Sequence, residues 1–163
     1  MKRIGIISDT HHCWDERFAE HFRDCDEVWH AGDIGDYAII ENLKEVAPTV
    51  RAVSGNIDSG AVRRNCRELE IFQVEGVKVL LTHIGGYPGS WAKGMKKLLK
   101  EEGIKLMVDG HSHILKIIYD KELDLLHINP GAAGKSGWHK VRTLVKLTID
   151  GCNMRDCEII ELA

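Results

Sequence analysis

Five apolar, β-forming runs, each closed by a short polar cluster, constrain what this chain can fold into more than any other feature. The runs span 4–8, 28–31, 50–54, 77–82 and 106–109. The clusters that close them read Ser8-Asp9-Thr10-His11, Gly32-Asp33, Gly55-Asn56, Thr82-His83 and Gly110-His111-Ser112-His113. Between the runs, segments 14–25, 37–46 and 91–102 carry apolar residues at helical spacing, and Gly103 supplies a stop signal. Strands that alternate with helices build a sheet covered on its faces.

The pattern changes after the second helix. Runs 69–74 and 77–81 flank Glu75-Gly76 as a hairpin, and 114–119, 125–128, 141–149 and 154–162 read as strands separated by turn-rich segments. The C-terminal third is therefore expected to be mostly antiparallel strand. The fold class is α/β (α+β), with two sheets packed face to face and helices outside. At 163 residues the chain has the length of one domain, spanning 1–163.

Composition narrows the function classes. A formal net charge of −3 gives no bulk pull toward nucleic acid or anionic lipid. The N-terminal apolar run is too short for a signal peptide, and no run approaches the ~20 residues of a membrane span. A cytoplasmic location and no membrane partner are expected. The five cysteines form an odd set without a Cys-x-x-Cys pair, which suits reduced packing residues better than disulfides or a thiolate zinc site.

The five clusters all fall at the carboxyl ends of expected strands, where loops diverge and ligands bind in open α/β sheets. Asp9 and His11, two residues apart at a strand end, can turn toward one cation. Asp33 has two carboxylate oxygens and can bridge two ions. Asn56 offers a carbonyl oxygen, His83 an imidazole, and His111 and His113 repeat the two-apart spacing, so that one can serve each metal. Two divalent ions bring four positive charges, and the two carboxylates with a shared hydroxide remove three. The site keeps a positive charge suited to an anionic ester, whose phosphorus a metal-activated hydroxide can attack in line.

The order Asp-x-His, Gly-Asp, Gly-Asn, His, Gly-His-x-His, from Asp9 to His113, resembles the calcineurin-like metallophosphoesterases. Asn129-Pro130-Gly131 adds to a likeness with the small YfcE-type phosphodiesterases. The resemblance implies a four-layer sandwich of two mixed β-sheets flanked by helices. It implies two divalent transition metals, manganese first among manganese, iron, nickel, cobalt and zinc. Asp9, His11, Asp33 and His113 would bind one ion, and Asp33, Asn56, His83 and His111 the other, with Asn56 and His83 also near the substrate. A homodimer or homotetramer is a further implication.

Many family members carry a histidine after Gly-Asn, placed to donate a proton to the leaving group. This chain has Ile57 there, which cannot do acid chemistry. Small YfcE-type members also lack that histidine, so a small phosphodiester with a good leaving group is the expected substrate. His12 is a candidate replacement acid on proximity to His11 alone.

The other polar residues take structural readings first. His21, His30, His127 and His139 follow no ligand pattern, and Asp15, Asp24, Asp26 and Asp36 suit helix caps or solvated charges. Asp36 or Asp58 could orient a ligand from behind. Lys93, Lys96, Lys97 and Lys100, with Arg63, Arg64 and Arg67, read as solvated faces rather than a nucleic-acid track, since no aromatic residues interleave them. Segment 85–90 is either a mobile substrate contact or a plain connection. Trp14, Trp29, Trp91 and Trp138 suit core packing more than a partner surface. The alternative function is a catalytically weak binding scaffold, like the retromer scaffold subunit that resembles this fold. Its expected mark, eroded ligands, is absent here.

Overall fold

The computed structural model describes residues 1–162. Strands β1 (Lys2–Ile7), β2 (Glu27–His30) and β3 (Thr49–Ala52) alternate with helices α1 (Glu16–Phe22), α2 (Ala38–Val46) and α3 (Gly60–Asn65). The hairpin β4 (Leu69–Val74) and β5 (Val77–Thr82) follows, then a small hairpin of β6 (Gly86–Tyr87) and β7 (Ser90–Trp91), helix α4 (Met95–Glu102) and β8 (Leu106–Val108). The chain ends with β9 (Lys116–Asp120), β10 (Leu125–Asn129), β11 (Arg142–Asp150) and β12 (Asn153–Leu162).

Two five-stranded sheets result, in the orders β12-β11-β1-β2-β3 and β4-β5-β8-β10-β9. Both are mixed. In the first, β1, β2 and β3 run parallel while β11 pairs antiparallel to β1 and β12 antiparallel to β11. In the second, β5, β8 and β10 run parallel, with β4 and β9 antiparallel at the edges.

The period-two alternation of the strands sorts their side chains into layers. Ile4, Ile6, Trp29, Val79, Leu81 and Val108 meet between the sheets. Ile7 and Val28 point the other way, into the layer formed with Phe18 and Phe22 of α1 and Ile39, Ile40 and Leu43 of α2. Leu80 and Met107 pack outward against Met95 and Leu99 of α4. The architecture is thus four layers, helix, sheet, sheet, helix, as expected. No helix among the described residues is long and apolar enough to cross a membrane.

Several element boundaries differ from the sequence expectation. Helix α1 begins two residues later than expected because the Asp15 carboxylate accepts from the Arg17 N–H and caps it. The expected helix 91–102 begins only at Met95, since Trp91 belongs to a strand and Gly94 turns the chain in a left-handed conformation (φ +80°). Segment 85–90, left open between two roles, forms most of the β6–β7 hairpin. Helix α3 has no counterpart in the sequence pattern. It buries only Val62, too little apolar periodicity to register.

Candidate metal centre

The loops after β1, β2, β3, β5 and β8 converge on one edge of the sandwich, and the seven candidate ligands converge with them. Asp9 Oδ1 lies 3.1 Å from His113 Nε2, 3.6 Å from His11 Nε2 and 3.8 Å from His83 Nε2. Asp33 Oδ2 lies 3.3 Å from His11 Nε2 and 3.2 Å from His83 Nε2. Asn56 Oδ1 stands 3.1 Å from His111 Nδ1. The donors separate into two groups, Asp9, His11 and His113 in one, Asp33, His83 and His111 in the other, each with donor atoms within 4.8 Å of one another.

Buried polar atoms in folded proteins nearly always have partners. Here Asp9 Oδ1, His11 Nε2 and His83 Nε2 are buried without one among the described residues, and their mutual distances place all three on the same gap. Two donors each about 2.1 Å from one tetrahedral ion stand roughly 3.4 Å apart, the spacing seen here. The donors are imidazoles, carboxylates and an amide oxygen, a set that suits divalent first-row metals.

The opposite atoms of the same side chains are tied down. His83 Nδ1 donates to the Ala31 carbonyl at 2.8 Å, which leaves Nε2 with its lone pair toward the gap. Asp9 Oδ2 accepts from Ser8 Oγ at 2.7 Å and from the His111 N–H at 3.1 Å. Asp33 Oδ1 accepts from the Ile57 N–H at 3.0 Å. A Cβ at position 55 would fall on the Asp33 carboxylate, so glycine is what lets the Asn56 loop approach it.

The backbone carries the strain of this convergence. Asp9, His11, Asp33, His111 and His113 all have positive φ, between 43° and 72°, and so does His12 at 68°. The left-handed region costs an L-residue about 1–2 kcal/mol and persists where surrounding contacts over-determine it. Those contacts are cross-loop hydrogen bonds: Asp9 N–H to Gly32 O, His11 N–H to Asp33 O, Gly110 N–H to His83 O and Gly134 N–H to Asp9 O.

Charge completes the geometry. Burial works against protonated His83, yet the Asp33 and Asp9 carboxylates prevail and raise its pKa above the usual imidazole value. Burial also opposes the charge of Asp33, but His83, the Ile57 N–H and His11 hold its carboxyl below the usual range. Burial, with His11 and His139 nearby, lowers the pKa of His113 despite Asp9. The gap holds the Asp33 carboxylate ionised and asks for positive charge.

Three supporting groups lie behind the donors. The buried Asp58 carboxylate accepts from the Gly55 N–H at 2.7 Å, the Gly35 N–H at 2.8 Å and the Ile34 N–H at 3.2 Å, joining the Asp33 loop to the Asn56 loop. Arg63, read from sequence as a solvated charge, donates to Asp58 O and Gly55 O at 2.9 and 2.8 Å and clamps the Asn56 loop from the other side. His30 accepts from the Gly32 N–H at Nδ1 and donates from Nε2 to Thr10 Oγ1, which donates in turn to Ile34 O. The close spacing of Asp58 after Gly55 is the one sequence signal for the first of these.

His12 joins neither donor group. It is exposed, its N–H donates to Ile34 O, and its ring lies against Gly35 at the rim. Recesses flank the donors. One of about 320 Å³, on the Asn56 and His83 side, is lined by Ser54, Arg63, Glu68, Thr82 and Ile84. The other, about 380 Å³, is lined by His111, Ser112, His113, Ile114, Trp138 and His139.

Comparison with known proteins bears on this geometry. Residues 1–151 match the family model of the calcineurin-like phosphoesterase superfamily domain. A probable metallophosphoesterase of Methanothermobacter thermautotrophicus is 33% identical over 162 residues, 96% of this chain and 91% of its own. Another, of Methanocaldococcus jannaschii, is 34% identical over 136 residues, 79% of this chain and 67% of its own. Among solved structures, Vps29 of Chaetomium thermophilum superposes with a TM-score of 0.79 at 14% identity, covering 99% of this chain and 97% of its own. An archaeal phosphodiesterase superposes with a TM-score of 0.73 at 22% identity, covering 98% and 99%. At these identities the structural likenesses establish the fold alone, whereas the family match and the curated relatives go further: the chain belongs to the calcineurin-like phosphoesterase superfamily.

Proposed function

We propose that this protein is a phosphodiesterase that works with two divalent metal ions, manganese by first expectation. The observation that carries the reading is the set of three buried donor atoms, Asp9 Oδ1, His11 Nε2 and His83 Nε2, that lack partners and face one gap. Two bound cations would supply Lewis acidity and an activated water there. Asp9, His11, Asp33 and His113 would hold one ion, and Asp33, Asn56, His83 and His111 the other.

The chain's own residues then shape the reaction. Only two of the seven donors are anionic, so the loaded site retains positive charge and favours an anionic ester. Asn56 and His83 line the recess on one side and orient the ester there. Ile57, 39% exposed beside Asn56, puts a hydrocarbon where a proton donor would serve the leaving group. Lack of a general acid typically forfeits about 10²–10⁴-fold, so esters whose leaving group departs as a stable anion are favoured. His12, on the rim, is the proposed donor in its place.

A binding scaffold on this fold is the alternative reading, and the mark expected of it, eroded donors, is absent from the seven positions. The test is a substrate panel with manganese-loaded protein. Hydrolysis of bis(4-nitrophenyl) phosphate is expected to exceed that of 4-nitrophenyl phosphate and of dialkyl phosphates. A faster monoester would overturn the diester assignment, and no hydrolysis of any ester would overturn the enzyme.

A further inference from the structure

Trp138 is fully exposed, at 101% of its reference value, while Trp14, Trp29 and Trp91 are buried or half-buried. Its two neighbours fix where it stands. Gly137 lies against His113 so closely that a Cβ would fall on the imidazole, and its φ of +132° is one that side chains rarely allow. On the other side, His139 donates from Nε2 to the Gly134 carbonyl at 2.8 Å, and its ring meets that of His113 edge-on at 5.1 Å. The indole is therefore presented from between two residues that both pack on a candidate metal ligand.

The recess of about 380 Å³ beside it contains Ile114, itself 56% exposed, and opens onto His111 and His113. That volume suits a small-molecule group. The recess across the donor cluster is lined by Ser54, Arg63, Glu68, Thr82 and Ile84, with Arg63 and Glu68 paired at 2.6 Å. A phosphodiester has two arms, and the two sides of this site differ, one carrying the Arg63–Glu68 ion pair and the other an exposed indole. One indole and one isoleucine make a smaller apolar patch than protein docking uses, which begins at several hundred Å². Exposed Lys135 and Lys140 flank the indole in sequence, in keeping with an anionic ligand.

We propose that Trp138 is a stacking platform for a planar aromatic arm of the substrate, held over the His111 and His113 side of the site. The proposal rests on the phosphodiesterase reading. A nucleobase and a simple aryl group share the required π-face, and stacking tolerates either.

The test uses manganese-loaded full-length protein and three non-hydrolysable ligands with one kind of head: methylphosphonate, phenylphosphonate and the phosphonate analogue of adenosine monophosphate. Calorimetry gives the affinities, and emission from the exposed tryptophan reports stacking. Aromatic ligands are expected to bind about 10-fold or more tighter than methylphosphonate and to quench emission. Trp138→Ala should bring them down to the methylphosphonate level, and Trp138→Phe should retain most of the advantage. An advantage confined to the adenosine ligand assigns a nucleobase, and one confined to phenylphosphonate a simple aryl group. Equal affinity for all three ligands, or an unchanged advantage in Trp138→Ala, overturns the proposal, as does self-association that Trp138→Ala abolishes. Hydrolysis of bis(4-nitrophenyl) phosphate is the separate control: if the loaded protein binds none of the three ligands and does not cleave that diester, the phosphodiesterase reading has failed rather than the stacking.

Discussion

Asp33 faces His83 across 3.2 Å, Oδ2 to Nε2, and the His83 nitrogen has no hydrogen bond there. The same oxygen lies 3.3 Å from His11 Nε2. Asp33 thus lies close to both donor groups, closer to the second than Asp9, whose Oδ1 stands 3.8 Å from His83 Nε2, and it is the proposed bridge between two cations. Asp33→Asn keeps the volume and removes the charge. Its manganese affinity is expected to fall by more than the 10–100-fold typical of losing an outer partner. Calorimetric titration checks this, and wild-type affinity for two ions in the variant would end the bridging role.

Asp58 gathers three backbone N–H groups that would otherwise be buried without acceptors. Asp58→Ala is expected to destabilise the fold by about 3 kcal/mol or more, since each orphaned buried donor costs roughly 1–3 kcal/mol. Urea unfolding measures this. A loss below about 1 kcal/mol would mean that water replaces the carboxylate.

His30 predicts a pH dependence. Full burial, with His83 nearby, pushes its pKa down to about 3. The folded protein therefore keeps it neutral while the unfolded chain protonates it below about 6.5. Stability from this group is present above pH ~6.5 and is lost as pH falls toward about 3, at up to ~1.4 kcal/mol per unit. Glutamine can reproduce one acceptor and one donor without titrating. In chelator, the stability difference between wild type and His30→Gln should shrink steadily from pH 6.5 to 4. A difference independent of pH would show that His30 is not held neutral.

The sequence made the site legible because polar clusters at strand ends interrupt a strong period-two pattern, and Asp9, His11, Asp33, Asn56, His83, His111 and His113 need no knowledge of packing to be seen. The four layers were legible for the same reason, as β5 and β8 turn alternate residues to opposite faces. Arg63 was not, because a charged residue on a six-residue helix looks like solvent exposure until the loop it clamps is in place. Trp91 lay next to a helical pattern, and only Gly94 and the pairing of β6 with β7 move it into a strand. The isolation of Trp138 is a tertiary fact, and a tryptophan in sequence reads first as core.

Asp109 and His127 form a buried pair, Oδ1 to Nε2 at 2.8 Å, under the ring of Trp91, which meets His127 edge-on at 5.3 Å. Burial raises the pKa of Asp109 despite His127, and His127 Nδ1 has no partner. Asp109→Ala should cost about 1–3 kcal/mol by leaving a buried imidazole nitrogen without its partner. The double change Asp109→Leu with His127→Leu should cost less than the sum of the two single leucine changes, because a buried pair replaced by hydrocarbon leaves no orphan. Additive losses in denaturant unfolding would refute the coupling.

The gap between the two donor groups is proposed to hold two cations that act together on a phosphodiester. The direct measurement is the rate of nitrophenol release from bis(4-nitrophenyl) phosphate as manganese is added to chelator-stripped protein. The rate should rise until about two equivalents per chain are bound and then level off. Uptake of a single ion with full activity, or of two ions with none, would contradict the account.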